Sequence, residues 1–155
     1  MTLVVDVALE DVRVPLARAR IADVARSVLR AERVREALLS ITFVTDRRMA
    51  TLNREYLGHR GPTDVISFGF ARHRAGDPVV ADVYIAPAVA RRNAVTAGVA
   101  QREELTRLIV HGILHALGFD HEDGPERMAS PMWRRQEQLV ARAMRSTTRR
   151  RTNVA

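Results

Sequence analysis

The sequence predicts an α+β fold: one domain in which a mixed four-stranded sheet is packed by about five helices. Three observations predict it. Four short runs rich in Val, Ile and Leu, at residues 3–9, 38–44, 64–70 and 79–86, read as strands. The stretches around them carry apolar residues at helical spacing instead. The chain has 155 residues, 46% of them hydrophobic, which is one ordinary domain with enough apolar surface to bury a core without staples.

Taken in order, residues 3–9 alternate weakly and form the first strand. Pro15 opens a helix whose Ile21, Val24, Ala25, Val28 and Leu29 recur at i, i+3, i+4, i+7 and i+8, one buried face. After the second strand, Thr45 or Asp46 caps a short helix carrying Met49, Leu52, Asn53 and Tyr56 that ends at Leu57 and Gly58. A basic loop of His59, Arg60, Gly61 and Pro62 leads into the third strand, and a polar turn with Gly76, Asp77 and Pro78 separates it from the fourth. Pro87 suits the first position of a helix. Residues 101–117 form a long helix, residues 118–130 a loop, and residues 131–145 a last amphipathic helix capped by Ser130. The domain therefore spans 1–145, and residues 146–155, polar and without periodicity, read as a disordered Arg-rich tail.

Composition excludes several function classes. There is no cysteine, which removes disulfides, thiolate nucleophiles and Cys-bearing zinc sites and fits a reducing compartment. All 25 basic residues are Arg, so lysine-based nucleophiles and the P-loop lysine are ruled out as well. Asp6 and Glu10 interrupt any signal-like start, and the richest apolar run, 108–119, is too short to span a bilayer. A cytoplasmic protein without membrane partners is expected. The formal net charge of +7 invites a polyanionic partner such as RNA. Five of the arginines lie in the last fifteen residues, which hold no acid, so the rest of the chain is nearly balanced.

The chemistry-bearing stretch is His111-Gly-Ile-Leu-His115-Ala-Leu-Gly118-Phe-Asp120-His121. His111 and His115 are four apart and stack on one helix face, about 5–6 Å apart at Cβ. Gly118 suits the left-handed position just past a helix end, a reversal that lets His121 offer a third nitrogen. Three neutral imidazoles on one tetrahedral ion leave a fourth position for water, the arrangement of catalytic zinc; nickel or copper could compete in vitro. The spacing is shared with metzincin peptidases, but their general-base Glu follows the first His, and here Gly112 stands there. That argues against proteolysis. Without an adjacent anionic base the ion keeps its full charge for a phosphodiester, whose oxygen it can polarise while lowering the pKa of a bound water to about 7.

This stretch closely resembles the H-G-x-L-H-L-x-G-Y-D-H signature of the YbeY family of single-strand-specific endoribonucleases and rRNA maturation factors. Two further blocks agree in order. Asn53-Arg-Glu-Tyr56 followed by Pro62-Thr-Asp-Val-Ile-Ser-Phe68 resembles the family's N-x-x-Y and P-T-[ND]-V-L-S-F segment. Ala81-Asp82-Val-Tyr-Ile85 resembles its G-D-[IV]-x-[IL] strand, with Ala81 for the usual Gly. The resemblance implies one Zn2+ at His111, His115 and His121, action on 16S rRNA in 3′-end maturation and ribosome quality control, and contact with the small ribosomal subunit and the GTPase Era. Many members carry an RNA-binding or RNA-cleaving Arg directly after the motif Tyr; here that position is Leu57, and Arg60, three residues on, is the candidate replacement.

Other polar residues have more ordinary readings beside functional ones. Asp120 either hydrogen-bonds a ligand imidazole or caps a turn. Glu104, seven residues before His111, reads as a solvated helix-start acid. Thr63 and Asp64 read as turn and cap residues, and Ser67 as a pleated-surface hydroxyl or a cleft residue. Asp82, inside an apolar strand, needs a partner, a backbone turn or an Arg. Gly112 reads as room for a strand or substrate to approach. His59 and His73 read as solvated loop residues, and Trp133, Leu139, Val140 and Ala143 as core. The sequence thus favours a zinc-dependent endoribonuclease, attacking through metal-bound water or the RNA 2′-OH. A ribosome-assembly binding factor with a structural metal is the alternative, and a metzincin-like peptidase ranks third.

Overall fold

The computed structural model describes residues 1–58, 60–61, 63–70, 72–74, 76–119 and 130–152, with side chains through residue 146. The chain runs β1 (Thr2–Leu9), α1 (Arg18–Ala31), β2 (Glu36–Phe43), α2 (Asp46–Leu52), a π-helical turn (Asn53–Leu57), β3 (Val65–Gly69), β4 (Val79–Ile85), α3 (Pro87–Ala97), α4 (Gln101–Ala116) and α5 (Pro131–Thr152). This is the expected α+β fold. The sheet order is β1-β2-β4-β3. β1, β2 and β4 are parallel, with Val5 beside Leu39 and Leu39 beside Ala81, while β3 returns antiparallel to β4 and forms the edge.

Alternation along β2 and β4 decides the two faces. Ala37, Leu39, Ile41 and Phe43 of β2 and Val79, Ala81, Val83 and Ile85 of β4 point into the main core, which α1, α4 and α5 complete. α4 is buried continuously from Leu108 to Leu114, as a helix must be that lies between a sheet and other helices. On the opposite face a smaller cluster of Val44, Met49, Leu52, Ile66 and Ala86 is covered by α2, with Phe68 and Tyr84 packed edge to face against each other.

Local chemistry sets the element ends. Thr45 caps α2, its hydroxyl accepting from the Arg48 amide at 3.2 Å. Pro87 begins α3, and Ser130 caps α5 by accepting from the Trp133 amide at 3.2 Å. Asp77 closes the β3–β4 turn by accepting from the His73 and Arg74 amides.

Three boundaries differ from the sequence reading. α1 begins at Arg18, because Ala17 is still extended and its carbonyl takes the first helical bond from Ile21 at 3.0 Å. The short helix that reaches Leu57 is α-helical only to Leu52 and then widens into a π-turn, closed by Gly58 at φ 69°. α5 continues to Thr152, seven residues past the end expected at residue 145. Extending an existing helix fixes one residue per bond gained, and Arg is a good helix former.

Candidate active site

The floor of the site is α4. His111 and His115 lie one turn apart, their rings 4.8 Å between centroids and inclined at 72°. Both line an open cleft of about 380 Å³, whose other walls are Leu57, Thr63, Asp64, Val65, Ile66 and Ser67. The helix can lie this close to the sheet because of Gly112. A Cβ there would stand 2.6 Å from Val83 Cγ1 and 3.1 Å from Val65 Cγ2, well inside contact distance. Ser67 fixes the same approach by donating its hydroxyl to the Gly112 carbonyl at 2.7 Å. Gly69 plays the corresponding part at the end of β3, where a Cβ would meet the Ala116 carbonyl oxygen at 2.6 Å. The expected close approach at Gly112 is therefore an approach by the sheet.

α4 ends in a Schellman arrangement. Gly118, at φ 99°, donates to the His115 carbonyl and Phe119 donates to the Leu114 carbonyl, each at 3.0 Å. This is the reversal that the glycine predicts. Asp120 and His121 lie outside the described residues, so two of the three expected metal ligands can be placed. The two imidazoles sharing one cleft wall fit a soft-to-borderline divalent ion such as zinc.

His111 is buried, and its Nδ1 lies 2.7 Å from Gln136 Oε1 on α5. Gln136 is missed by the sequence reading. Its signal was a polar residue inside the apolar stripe Met132, Gln136, Leu139, Val140 and Ala143, at i, i+4, i+7, i+8 and i+11. Beside it Arg107 joins three carboxylates. It donates to Glu137 from Nε and Nη2 at 3.0 and 2.9 Å, to Glu104 at 3.0 Å and to Glu103 at 3.3 Å. Hydrogen bonding and the charge of Glu137 raise the Arg107 pKa beyond its ordinary value, against the opposing effect of burial.

Several single-residue expectations are corrected. Glu104 is not a solvated helix-start acid; it is buried and ion-paired with Arg107, because α5 closes over that face of α4. Among the described residues Asp82 pairs with a serine, not with a turn or an arginine. Its carboxylate accepts from Ser40 Oγ at 2.5 Å, the two being register partners on β2 and β4. Trp133 is only half-buried, since α5 turns Met132 and Gln136 inward instead. Thr63, Asp64 and Ser67 form cleft wall. His73 is exposed as expected, and His59 lies outside the described residues.

Leu57, which stands where the resemblance expects an arginine, lines the cleft. Arg60 is exposed, in the loop that enters the wall at Thr63, and is not itself part of the wall. That loop is tied down by buried Asn53, whose Nδ2 donates to the Gly61 carbonyl at 2.9 Å. The π-turn begins at Asn53 and ends at Leu57, so one short distortion positions both the loop anchor and a wall residue.

Fold and cleft together define an α+β protein with a histidine pair on the floor of an open cleft walled by hydroxyl, carboxylate and apolar side chains. The chain belongs to the Endoribonuclease YbeY family, whose model matches residues 6–144. The endoribonuclease YbeY of Thermobifida fusca is 39% identical over 150 residues, covering 92% of this chain and 95% of its own. That of Frankia alni is 40% identical over 133 residues, covering 79% of this chain and 72% of its own. The fold is also that of TM1509 from Thermotoga maritima, solved in solution, with a TM-score of 0.60 at 20% identity over 94% of this chain and 93% of that one. Among the described residues no helix is long and apolar enough to cross a membrane.

Proposed function

We propose that this protein is a zinc-dependent, single-strand-specific endoribonuclease acting in 16S rRNA 3′-end maturation and ribosome quality control. Membership of the family supports the reaction class, hydrolysis of RNA phosphodiester bonds. The observation that carries the metal-site reading is the His111–His115 pair, 4.8 Å apart on one wall of an open cleft. His111, His115 and His121 would hold the ion. Zinc so bound supplies Lewis-acid stabilisation of charge on the phosphoryl group and a lowered pKa for attacking water.

The chain's own residues do the rest. At about 380 Å³ the cleft is on the scale of one small ligand, about 300–1,000 Å³, which suits a single unpaired strand better than a duplex. Val65 and Leu57 give the sugar and base an apolar surface, while Thr63, Asp64 and Ser67 bring polar groups to the same wall. Arg60, exposed beside the wall, is available to a neighbouring phosphate, replacing the cation lost at Leu57. Asp120 orients a ligand imidazole in this reading. The small ribosomal subunit and the GTPase Era are the accompanying partners, in the cytoplasm.

The test is cleavage of structured rRNA by zinc-loaded protein beside its His115→Ala variant. The variant is expected to be inactive, and equal cutting by both overturns the reading. Product ends then separate the nucleophiles: a 2′,3′-cyclic phosphate reports the RNA 2′-OH, a 5′-phosphate reports water.

A further inference from the structure

The Gln136 amide sits between two groups of opposite demand. Its Nε2 lies 3.4 Å from Glu137 Oε2, and its Oε1 lies 2.7 Å from His111 Nδ1. Glu137 is clasped by Arg107 through Nε and Nη2, a fork-on-carboxylate pair in which both partners are charged. An ionised carboxylate can only accept, so the amide end beside it is the NH2 group. The carbonyl end therefore faces His111, and a carbonyl can only accept. The proton of that bond must come from the imidazole.

Burial makes this arrangement hard to escape. Gln136 is 1% exposed and His111 7%, on helix stretches where Leu108, Met132, Leu139 and Val140 are buried as well. A buried amide without its partners is costly, so a glutamine in this apolar stripe needs both of its contacts.

We propose that Gln136 is a positioning residue that holds His111 as the Nδ1–H tautomer, with the amide's orientation set in turn by the Arg107–Glu137 pair. Nε2 is then the nitrogen that carries the lone pair, the form a metal ligand needs, and the ring is fixed before any ion arrives. The last step rests on the reading of His111 as a zinc ligand; the tautomer does not. Gln136 lies on a different helix from the motif, so α5 becomes part of the site's preparation and not only its cover.

The experiment reads the tautomer directly. Protein labelled with 15N in histidine, metal-free and at a pH where His111 is neutral, is expected to show a protonated Nδ1 and an unprotonated Nε2. An Nε2–H signature in the parent protein overturns the proposal without any variant. Gln136→Leu, which removes the acceptor, is expected to lose the Nδ1–H preference and weaken zinc about 10–100-fold in a chelator competition. Gln136→Glu, which keeps one, is expected to restore both. Retention of the signature in Gln136→Leu, or equal loss of zinc in both variants, counts against the positioning role. Thermal melts of the metal-free proteins separate this from loss of fold. If the parent shows the expected tautomer yet binds no zinc, the positioning role stands and the metal-site reading falls.

Discussion

The helical wall of the cleft and the wall of strand and loop facing it differ in how their polar side chains are held. On α4, His111 is buried, bonded to Gln136, and packed beside an ion-pair network that joins Arg107 to Glu103, Glu104 and Glu137. Across the cleft, Leu57 and Arg60 are exposed, and the loop is tied at Gly61 by the Asn53 amide. The first wall is placed by tertiary packing on all sides and suits atoms that must keep a fixed geometry. The second is placed by local backbone and suits a substrate whose phosphates vary in position. Under the proposed function, preorganisation is concentrated where a bond would break, and looser electrostatics where the strand would be held.

Variants on each side can break or sharpen this contrast. The largest effect is expected on the floor: His115→Ala should abolish RNA cleavage while leaving the melting temperature of the metal-free protein near that of the parent. A variant that still cuts removes His115 from the chemistry. Next comes the contact beneath it. In Gly112→Ala the new Cβ would meet Val83 at 2.6 Å and Val65 at 3.1 Å. The overpacking cost of about 1–3 kcal/mol outweighs the gain of about 1 kcal/mol in helix propensity at its upper end. Urea unfolding should show net destabilisation with a matching loss of activity.

Changes on the loop wall should be smaller and of another kind. Arg60→Ala is expected to lower RNA affinity by a factor of about 5, or ~1 kcal/mol, and to reduce the slope of log affinity against log salt by about one. Unchanged affinity and slope would show that Arg60 does not supply the missing cation. Leu57→Arg, which puts a cation into the wall itself, should tighten binding in the Arg60→Ala background, as read by the same titration.

The smallest effect is expected far from the floor, at Tyr84 on the opposite face of the sheet. Burial, and then the nearby Asp82 charge, raise its pKa above the ordinary 10.0. The folded protein thus holds this proton more tightly than the unfolded chain. The associated stability is full below pH 10 and is lost as pH rises through the raised value. Denaturation midpoints measured from pH 8 upward should fall less steeply in Tyr84→Phe than in the parent above pH 10.

Much of this was legible in the sequence, for local reasons. Four strands and five helices follow from periodicities of two and 3.6, and Thr45, Pro87, Gly118 and Ser130 sit where caps and turns restrict the choice of residue. The histidine pair was legible because a spacing of four guarantees a shared helix face. Positions whose role depends on a distant neighbour were not. Glu104 read as a solvated acid because nothing near it in the chain shows that α5 will cover it. Ser40 gave no hint of Asp82, 42 residues away and opposite it only once β2 and β4 pair.

The sequence by itself determined which segments become helix or strand, and the histidine spacing on α4. These depend on backbone sterics and on contacts within a few residues. Only the tertiary structure decided the strand order β1-β2-β4-β3, the cleft between α4 and β3, and the meeting of His111 with Gln136, 25 residues further along the chain. Such pairings depend on which buried faces meet when helices and sheet close on one core, and local periodicity carries no record of that choice.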